Sequence, residues 1–453
     1  MRGATVVSTV VANHLCCGCG TCVAVCPTDA LSMAGTPAGF LVATMVDEDA
    51  CTLCGRCLRA CPGASVAGET EDAPRTPDDL FPGPLRKIWW GWARDAQTRR
   101  SGASGGVVTA LVRRLLETDA VQAALMTRWS PDDPLRHEAV VIRSPEELQR
   151  SQKSRYCPVA LNTDLRWLLA FDRVAIVGLP CHLRGVERAA ELLGADFPET
   201  VRIGLFCDRT LSTLLIDRLI SVAGLPPESV AGFEYRDKGW RGWPGDVRVC
   251  GVGGESVFLD REERMRRKEP YTPVRCRVCP DAFNVPADIA CGDGYGAPHS
   301  DDGMSVVLAR TQRGEEAIAA AADALELERV SPERALRLHH VEQRRDSCLA
   351  YARAFAELRP GAPGVLPRAW DDGVAIDPRV MARHRATLRR DLAFEEAASE
   401  EAARSIALAA ERQENVRLLP RRARRALIRA AKWCLGILPG GSRIIERLRS
   451  ARG

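Results

Sequence analysis

The sequence predicts a mixed α/β (α+β) fold in three parts: a small cysteine-rich N-terminal domain, a mixed α/β main body and a helical, basic C-terminal tail. Three observations predict this class. A cysteine pattern occurs twice in the first 62 residues, short apolar strands alternate with helical stretches in the middle of the chain, and charged helical sequence follows from about residue 331. At 453 residues the chain is also too long for a single compact core.

The domain boundaries follow from changes in composition along the chain. We expect the cysteine-rich domain at residues 1–68, a linker at 69–86, the main body at 87–330 and the tail at 331–453. The stretch after Gly63 is acidic and proline-rich and shows no apolar periodicity, which is typical of a semi-rigid linker.

The strongest pattern is a duplicated run of four cysteines followed by proline, C-x2-C-x2-C-x3-C-P. Each cysteine of the second run lies 35 residues after its counterpart in the first, so the segment is an internal duplication. The two runs are Cys16, Cys19, Cys22 and Cys26 with Pro27, and Cys51, Cys54, Cys57 and Cys61 with Pro62.

This spacing is typical of a ferredoxin-like domain that holds two 4Fe-4S clusters. Three thiolates of one run bind one cluster, and the fourth, which we expect to start a helix and point away, ligates the other. We therefore predict one cluster on Cys16, Cys19, Cys22 and Cys61, and a second on Cys51, Cys54, Cys57 and Cys26. The alternatives are a zinc site or a redox disulfide, but zinc gains nothing from two interleaved sets of thiolates. Cys17 lies outside the pattern and is interpreted as a bystander.

A Gly/Ser-rich turn precedes an amphipathic helix at the start of the main body. The turn covers residues 101–106, and the apolar positions between Val107 and Leu116 recur at helical spacing. Such a turn can bind an anion at the helix N-terminus, and the diphosphate of a flavin dinucleotide would suit it. Ser and Gly are equally common where a helix is merely capped, so the turn alone leaves both interpretations open.

Two apolar strands of the main body each end close to a cysteine. These cysteines lie at the carboxyl ends of strands, the edge at which open α/β sheets bind ligands. In a later segment, Cys276 and Cys279 form a chelating pair separated by two residues. This pair would need two more thiolates to hold a third 4Fe-4S cluster. The predicted ligands are Cys181, Cys207, Cys276 and Cys279, with Cys157 and Cys291 in reserve.

Seven short motifs of the main body occur in the order found in the beta subunit of coenzyme F420 hydrogenase and its dehydrogenase relatives. They are SGGVVTALVRRLLE, SQKSRYCPVA, VAIVGLPCHLRGV, IGLFCD, YRDKGW, CRVCPD and ADIACGDGYG. Residues 87–330 resemble that family, in which a ferredoxin domain in front is common. The resemblance implies a mixed α/β flavoprotein with FAD beside one 4Fe-4S cluster, and a two-electron acceptor such as F420, a chlorophyll precursor or another small molecule.

The resemblance also implies site residues. The flavin motif corresponds to Ser104, Gly105 and Gly106 and to Ser154, Arg155 and Tyr156, and the cluster motifs correspond to Cys181, Cys207, Cys276 and Cys279. The sequence departs from the family pattern at Lys153, where a glycine is usual, at His182, where a glutamine is usual, and at Cys157, which follows the tyrosine. The departures at Lys153 and Cys157 leave open a different ligand set, and His182 implies different contacts near the flavin.

Composition and charge indicate the compartment and the partners of the protein. With 46% hydrophobic and 27% charged residues it has the composition of a soluble globular protein, and we expect it in the cytoplasm, where 18 cysteines indicate metal ligands rather than disulfides. Residues 417–453 carry eleven Lys and Arg side chains against one acid in an amphipathic pattern. This segment predicts peripheral contact with an anionic membrane or a helix docked on the protein's own core, and no nucleic-acid partner is expected.

These patterns predict a flavin-dependent iron-sulfur oxidoreductase that exchanges electrons with a ferredoxin or a redox partner subunit. F420 is the first candidate for its small-molecule acceptor. The alternatives are a non-catalytic subunit that relays electrons to a partner enzyme and a platform in which the clusters are only structural. Lys238 is a guess for a proton donor. The basic residues Arg264, Arg266, Arg267 and Lys268 are candidates for contact with an acidic substrate, or simply a solvated helix face.

Overall fold

The computed structural model describes residues 4–64, 83–194, 197–366 and 375–418. The predicted linker lies outside these residues up to position 82, and the predicted basic segment at 417–453 lies outside them beyond position 418. No helix in the described ranges is long and apolar enough to cross a membrane.

The N-terminal unit joins two short helices to a β-hairpin. Its elements are α1 (Thr21–Ala24), β1 (Leu31–Gly35), β2 (Leu41–Met45) and α2 (Arg56–Ala60), and the two strands pair antiparallel. Both helices follow a glycine, Gly20 or Gly55, whose positive φ angle turns the chain into the first helical turn. The expectation that the fourth cysteine starts a helix is wrong. Both helices contain the third cysteine and end before the fourth, which precedes Pro27 or Pro62.

Eleven further strands form two sheets in the main body. They are β3 (Lys87–Ala93), β4 (Ala123–Trp129), β5 (His137–Ile142), β6 (Arg173–Gly178), β7 (Glu199–Leu205), β8 (Val230–Asp237), β9 (Asp246–Gly251), β10 (Ser256–Leu259), β11 (Ile289–Asp293), β12 (Ser305–Ala309) and β13 (Leu325–Arg329). The larger sheet has the order β13-β3-β12-β11-β7-β6-β4-β5, and the smaller has the order β10-β9-β8. The four neighbours β11, β7, β6 and β4 run parallel, and every other pair is antiparallel.

Helices cover both faces of the larger sheet and continue beyond it. In chain order they are α3 (Ala96–Ser101), α4 (Val107–Glu117), α5 (Pro180–Leu193), α6 (Leu214–Ala223), α7 (Arg261–Arg267), α8 (Val274–Arg277), α9 (Gln312–Ala320), α10 (Pro332–Leu336), α11 (Val341–Leu358), α12 (Pro378–Glu395) and α13 (Glu400–Leu418). Along β6, Val174 and Ile176 face the layer formed by α5 and the N-terminal unit, whereas Ala175 and Val177 face the layer of α4 and α9. The predicted mixed α/β class is confirmed.

The helices that follow residue 331 pack against both the main body and the N-terminal unit. Phe355 of α11 and Leu388 of α12 share an apolar layer with Leu15. A buried ion pair joins Arg277 Nε to Asp391 Oδ2 at 2.9 Å. The described part of the predicted tail is therefore integrated into the folded molecule, because its buried groups are paired with groups of the body.

Candidate functional site

The cysteines predicted as ligands form three groups in the structure. We name them the first set (Cys16, Cys19, Cys22 and Cys61), the second set (Cys26, Cys51, Cys54 and Cys57) and the body set (Cys181, Cys207, Cys276 and Cys279). Each N-terminal set takes its fourth member from the opposite run, as the sequence pattern requires.

Thiols of the first set are buried side by side. Burial and the neighbouring thiols of Cys19 and Cys61 raise the pKa of Cys22 well above its usual value. Burial and the thiols of Cys19 and Cys16 likewise raise the pKa of Cys61 to about 12. Ionising such a group of thiols is costly unless a cation compensates, and bound iron supplies one. The donor chemistry of this set therefore fits a cluster.

The second set lies nearer the protein surface. Its four thiols line one cavity together with Leu31 and Met45. Cys54 is exposed, and the backbone N–H of Arg56 lowers the pKa of its thiol. The residues present thus fit a second cluster on the solvent side of the N-terminal unit.

The body set brings together cysteines from three distant segments. Cys181 lies in the first turn of α5, after β6, and Cys207 follows the end of β7. Burial and then the thiols of Cys276 and Cys279 raise the pKa of Cys207 well above its usual value. The carboxyl ends of two adjacent parallel strands therefore meet the chelating pair.

The two reserve cysteines lie in apolar layers. Cys157 is buried, and its Sγ is 2.8 Å from Tyr235 Oη. Cys291 points from β11 into the layer beneath α4 and α9. Their positions favour the body set over either replacement ligand.

Among residues 4–64, 83–194, 197–366 and 375–418, no three His, Cys, Asp or Glu side chains are placed to hold one metal ion. A 4Fe-4S cube takes one thiolate on each of its irons, so its ligands surround a space and do not meet at one atom. The cavity between the thiols of the second set has this character.

The first set and the body set lie next to each other. Cys17 is within hydrogen-bonding reach of both Cys181 and Cys19, so this residue lies at the junction of the two sets. Asn162 Nδ2 donates to Thr21 Oγ1 and to His182 O, both at 2.8 Å. A Cβ on Gly185 would lie 2.1 Å from Thr21 Oγ1, which shows how closely α1 packs on α5. The sequence pattern does not predict this junction, because the junction depends on how the two units dock.

The predicted flavin turn is largely occupied by contacts within the chain. Gly105 N donates to Ser305 Oγ at 3.0 Å, and the Ser104 hydroxyl donates to the carbonyl of Met304. A Cβ on Gly105 would lie 2.5 Å from Gly91 O, so glycine is needed for close packing on β3. Gly106 has φ +77° and begins α4. No side chain caps the N-terminus of α4, so the turn is held by its packing on β3 and by the hydrogen bonds of Ser104 and Gly105.

The two parts of the predicted flavin motif meet at a largely buried ion pair. Arg236 of β8 donates to both carboxylate oxygens of Asp293 at the end of β11, at 3.0 and 2.8 Å. Burial would raise the pKa of Asp293, but the Arg236 guanidinium lowers it on balance, and the Ser104 side chain lies beside the carboxylate. Tyr156 lies near the same arginine. Arg264 and then Arg236 lower the pKa of Tyr156, because these two cations together outweigh the effect of burial.

The loop at residues 154–156 contributes unevenly to this region. The Arg155 guanidinium donates to the carbonyls of Arg150 and Ser151 in its own loop, at 2.7 and 3.1 Å. Ser154 forms a side-chain hydrogen bond with Tyr156, and the Arg264 guanidinium lies 4.7 Å from the centre of the Tyr156 ring. Tyr156 is therefore the member of this loop that faces the ion pair.

Other residues singled out in the sequence have mainly internal contacts. Lys238 Nζ donates to the carbonyls of Arg99, Ser104 and Asp302 at 2.9, 2.6 and 2.6 Å, and burial and then Arg236 lower its pKa to about 7. Of the basic residues, Arg266 and Arg267 pair with Glu263, and Lys268 pairs with Asp208 at 2.8 Å. His182 lies between Leu179 N and Val159 O, and burial lowers its pKa to about 4.

Lys153 has the left-handed backbone conformation that favours glycine. Its φ angle is +70°, which explains why a glycine is usual here in the resembling family. Its Nζ pairs with Asp237 Oδ2 at 2.7 Å, and this contact offsets part of the backbone cost.

We expect a Lys153→Gly variant to be more stable than Lys153→Ala by about 1 kcal/mol, because only glycine adopts this conformation without strain. Both variants lose the ion pair equally, so urea unfolding of the two isolates the backbone contribution. The control is Arg389, which is exposed in the middle of α12. There the Ala variant should be more stable than the Gly variant, because the backbone is helical. Equal stabilities of the two variants at position 153 would contradict the proposed strain.

Taken together, the cysteine sets and the sheet that positions them define an iron-sulfur electron-transfer protein. Comparison with family models agrees with this class. Residues 15–64 match the 4Fe-4S dicluster domain, residues 88–166 the N-terminal part of the coenzyme F420 hydrogenase/dehydrogenase beta subunit, and residues 171–334 its C-terminal part. The chain belongs to the family of coenzyme F420 hydrogenase/dehydrogenase beta subunits and carries a 4Fe-4S dicluster domain in front.

Individual relatives are distant but cover most of the chain. A coenzyme F420-dependent sulfite reductase of Methanocaldococcus jannaschii is 27% identical over 75% of this chain, which spans about half (52%) of that relative. A subunit of the F(420)H(2) dehydrogenase of Methanosarcina mazei is 25% identical over 71% of this chain and 86% of its own length. A chain of the F420-reducing NiFe hydrogenase complex of Methanosarcina barkeri has the same fold, with a TM-score of 0.51 at 21% identity over 63% of this chain and 97% of its own.

Proposed function

We propose that the protein is an iron-sulfur flavoprotein oxidoreductase. In this proposal it transfers electrons between a redox partner and a small molecule that takes two electrons, with F420 as the first candidate acceptor. The observation that carries the proposal is the contact between the first set and the body set through Cys17 and Cys181. This contact makes a continuous line of thiol sets from the exposed Cys54 into the α/β body.

The proposed groups have distinct tasks. When bound, 4Fe-4S clusters exchange single electrons and a flavin exchanges them singly or in pairs, which a two-electron acceptor requires. The chain itself holds the thiol sets at a fixed separation, because Arg166 donates to the carbonyl of Ala24 at 2.7 Å and Arg56 donates to that of Leu192 at 3.2 Å. The ferredoxin-type unit is therefore docked rigidly on the body by charged side chains.

Unpartnered buried polar atoms support a flavin near Tyr156. Within the described residues, Arg155 Nε, Glu234 Oε2 and Arg264 Nε are buried without a hydrogen-bond partner. Such atoms are costly in a folded protein unless a ligand or water meets them. We therefore place the flavin against the loop at Ser154–Tyr156 and the Arg236–Asp293 pair, with Ser104, Gly105 and Gly106 supporting it from the adjacent turn.

A second candidate is a subunit that relays electrons to a partner enzyme without binding flavin. It is favoured by the hydrogen bond from Gly105 N to Ser305, which occupies an amide that a diphosphate would need. Relatives that are themselves named as subunits support a partner chain for either candidate. The two differ in flavin content.

The deciding experiment is anaerobic purification followed by iron, sulfide and FAD quantification and an F420 reduction assay. The oxidoreductase predicts about twelve irons and one FAD per chain, since three 4Fe-4S clusters hold four irons each. About twelve irons without flavin, together with no F420 reduction, would favour the relay. About eight irons without flavin would leave only the N-terminal clusters.

A further inference from the structure

Arg275 spans the junction between the first set and the body set. It directly precedes Cys276 in α8, so its backbone belongs to the body set. Its Nη2 donates a 2.9 Å hydrogen bond to the carbonyl of Pro62, which directly follows Cys61 of the first set. One side chain therefore reaches from the neighbour of a body-set ligand to the neighbour of a first-set ligand.

The guanidinium of Arg275 is buried and carries an uncompensated charge. The residue is 4% exposed, and in the part of the chain that the structure describes its Nη1 has no hydrogen-bond partner. Glu395 lines the same cavity but binds His14 at 3.0 Å and the backbone N–H of Val274 at 2.6 Å. A buried guanidinium without a carboxylate is unfavourable, so another negative group is expected at this position.

The groups that face Arg275 are thiols of both sets. Cys279 and Cys181 belong to the body set, Cys61 belongs to the first set, and Cys17 lies between them. Iron-bound thiolates would give each site a negative charge beside the guanidinium. A nearby positive charge favours the reduced, more negative form of a cluster and so raises its reduction potential.

We infer that Arg275 is the shared counter-charge of the first set and the body set and raises the reduction potentials of both. The inference rests on the proposed function, because it requires clusters at both sets. The second set lies on the exposed side of the N-terminal unit and does not share this cation.

The test is an EPR-monitored redox titration of the anaerobic full-length protein and its Arg275→Gln and Arg275→Lys variants. The Gln side chain keeps polar N–H donors but carries no charge, whereas Lys keeps the charge. A Cys54→Ser variant identifies the signal of the second set. We expect the Gln variant to show lower midpoint potentials at the first set and the body set only, and the Lys variant to restore both toward the original values.

Several outcomes would overturn the inference. The inference fails if the Gln variant leaves the midpoint potentials unchanged or lowers them equally at all three sites. It also fails if the Lys variant lowers the potentials as much as the Gln variant does. Failure of both variants to bind iron would make Arg275 a structural residue only, whereas iron binding restored by Lys but not Gln supports the charge. The unmodified protein separately tests the proposed function, because it must first show all three cluster signals.

Discussion

A Cys276→Ser/Cys279→Ser double variant should lose the body cluster and keep the two N-terminal clusters. The iron content is expected to fall from about twelve to about eight per chain, since one 4Fe-4S site is removed. Loss of a residue that supports a metal ligand typically lowers activity roughly 10–100-fold. The rate of electron transfer from a reduced partner to the acceptor should fall by more than this, because the ligands themselves are removed. Iron analysis, EPR spectroscopy and the F420 assay measure these effects.

The matched control is a Cys157→Ser/Cys291→Ser double variant. Both residues are buried cysteines of the main body, but they lie in apolar layers rather than beside the body set. We expect this variant to keep about twelve irons and all three cluster signals, with some loss of stability from the buried hydroxyls. If the control lost four irons and the first variant kept them, the ligand assignment would be wrong.

The prediction of the N-terminal sets depends only on local sequence. Fixed spacing within one duplicated segment determines which thiols can meet, and no information about distant contacts is needed. Prediction of the body set also requires the strand order, since Cys181 and Cys207 approach Cys276 only once strands β6 and β7 lie side by side. The reserve ligand Cys291 could not be eliminated from the sequence, because the face of β11 on which it lies depends on the register of the whole sheet.

Contacts across long sequence separations were the main features that the sequence did not predict. Gly105 meets Ser305, and Arg236 meets Asp293, in each case through the packing of separate strands and loops. Signals for the ion pair were present, since YRDKGW contains Arg236 and ADIACGDGYG contains Asp293. They were not used because a motif alone does not say which of its charged residues turns inward. Arg275 was missed for the same reason.

Replacing Arg236 by Met should destabilise the fold by about 3 kcal/mol, because Asp293, whose side chain is only 17% exposed, would be left without its cation. In the unmodified protein Arg236 holds the pKa of Asp293 below its usual value, so the pair contributes stability above the unfolded-state pKa and loses it as the pH falls. In the variant, burial alone would raise that pKa, and protonation would relieve the cost. Urea unfolding at neutral and mildly acidic pH should therefore show the difference from the unmodified protein narrowing in acid.

Arg94→Met provides a matched control on the same α/β body. Arg94 pairs with Glu326, but the two side chains are 52% and 41% exposed, so its loss should cost less than about 1 kcal/mol at any pH. Adding Asp293→Asn to the Arg236→Met variant should recover part of the stability at neutral pH, since an amide is cheaper to bury than a carboxylate. An Arg236→Met variant as mild as Arg94→Met, or a pH-independent deficit, would show that the Arg236–Asp293 pair does not hold the two sheets together at the proposed flavin site.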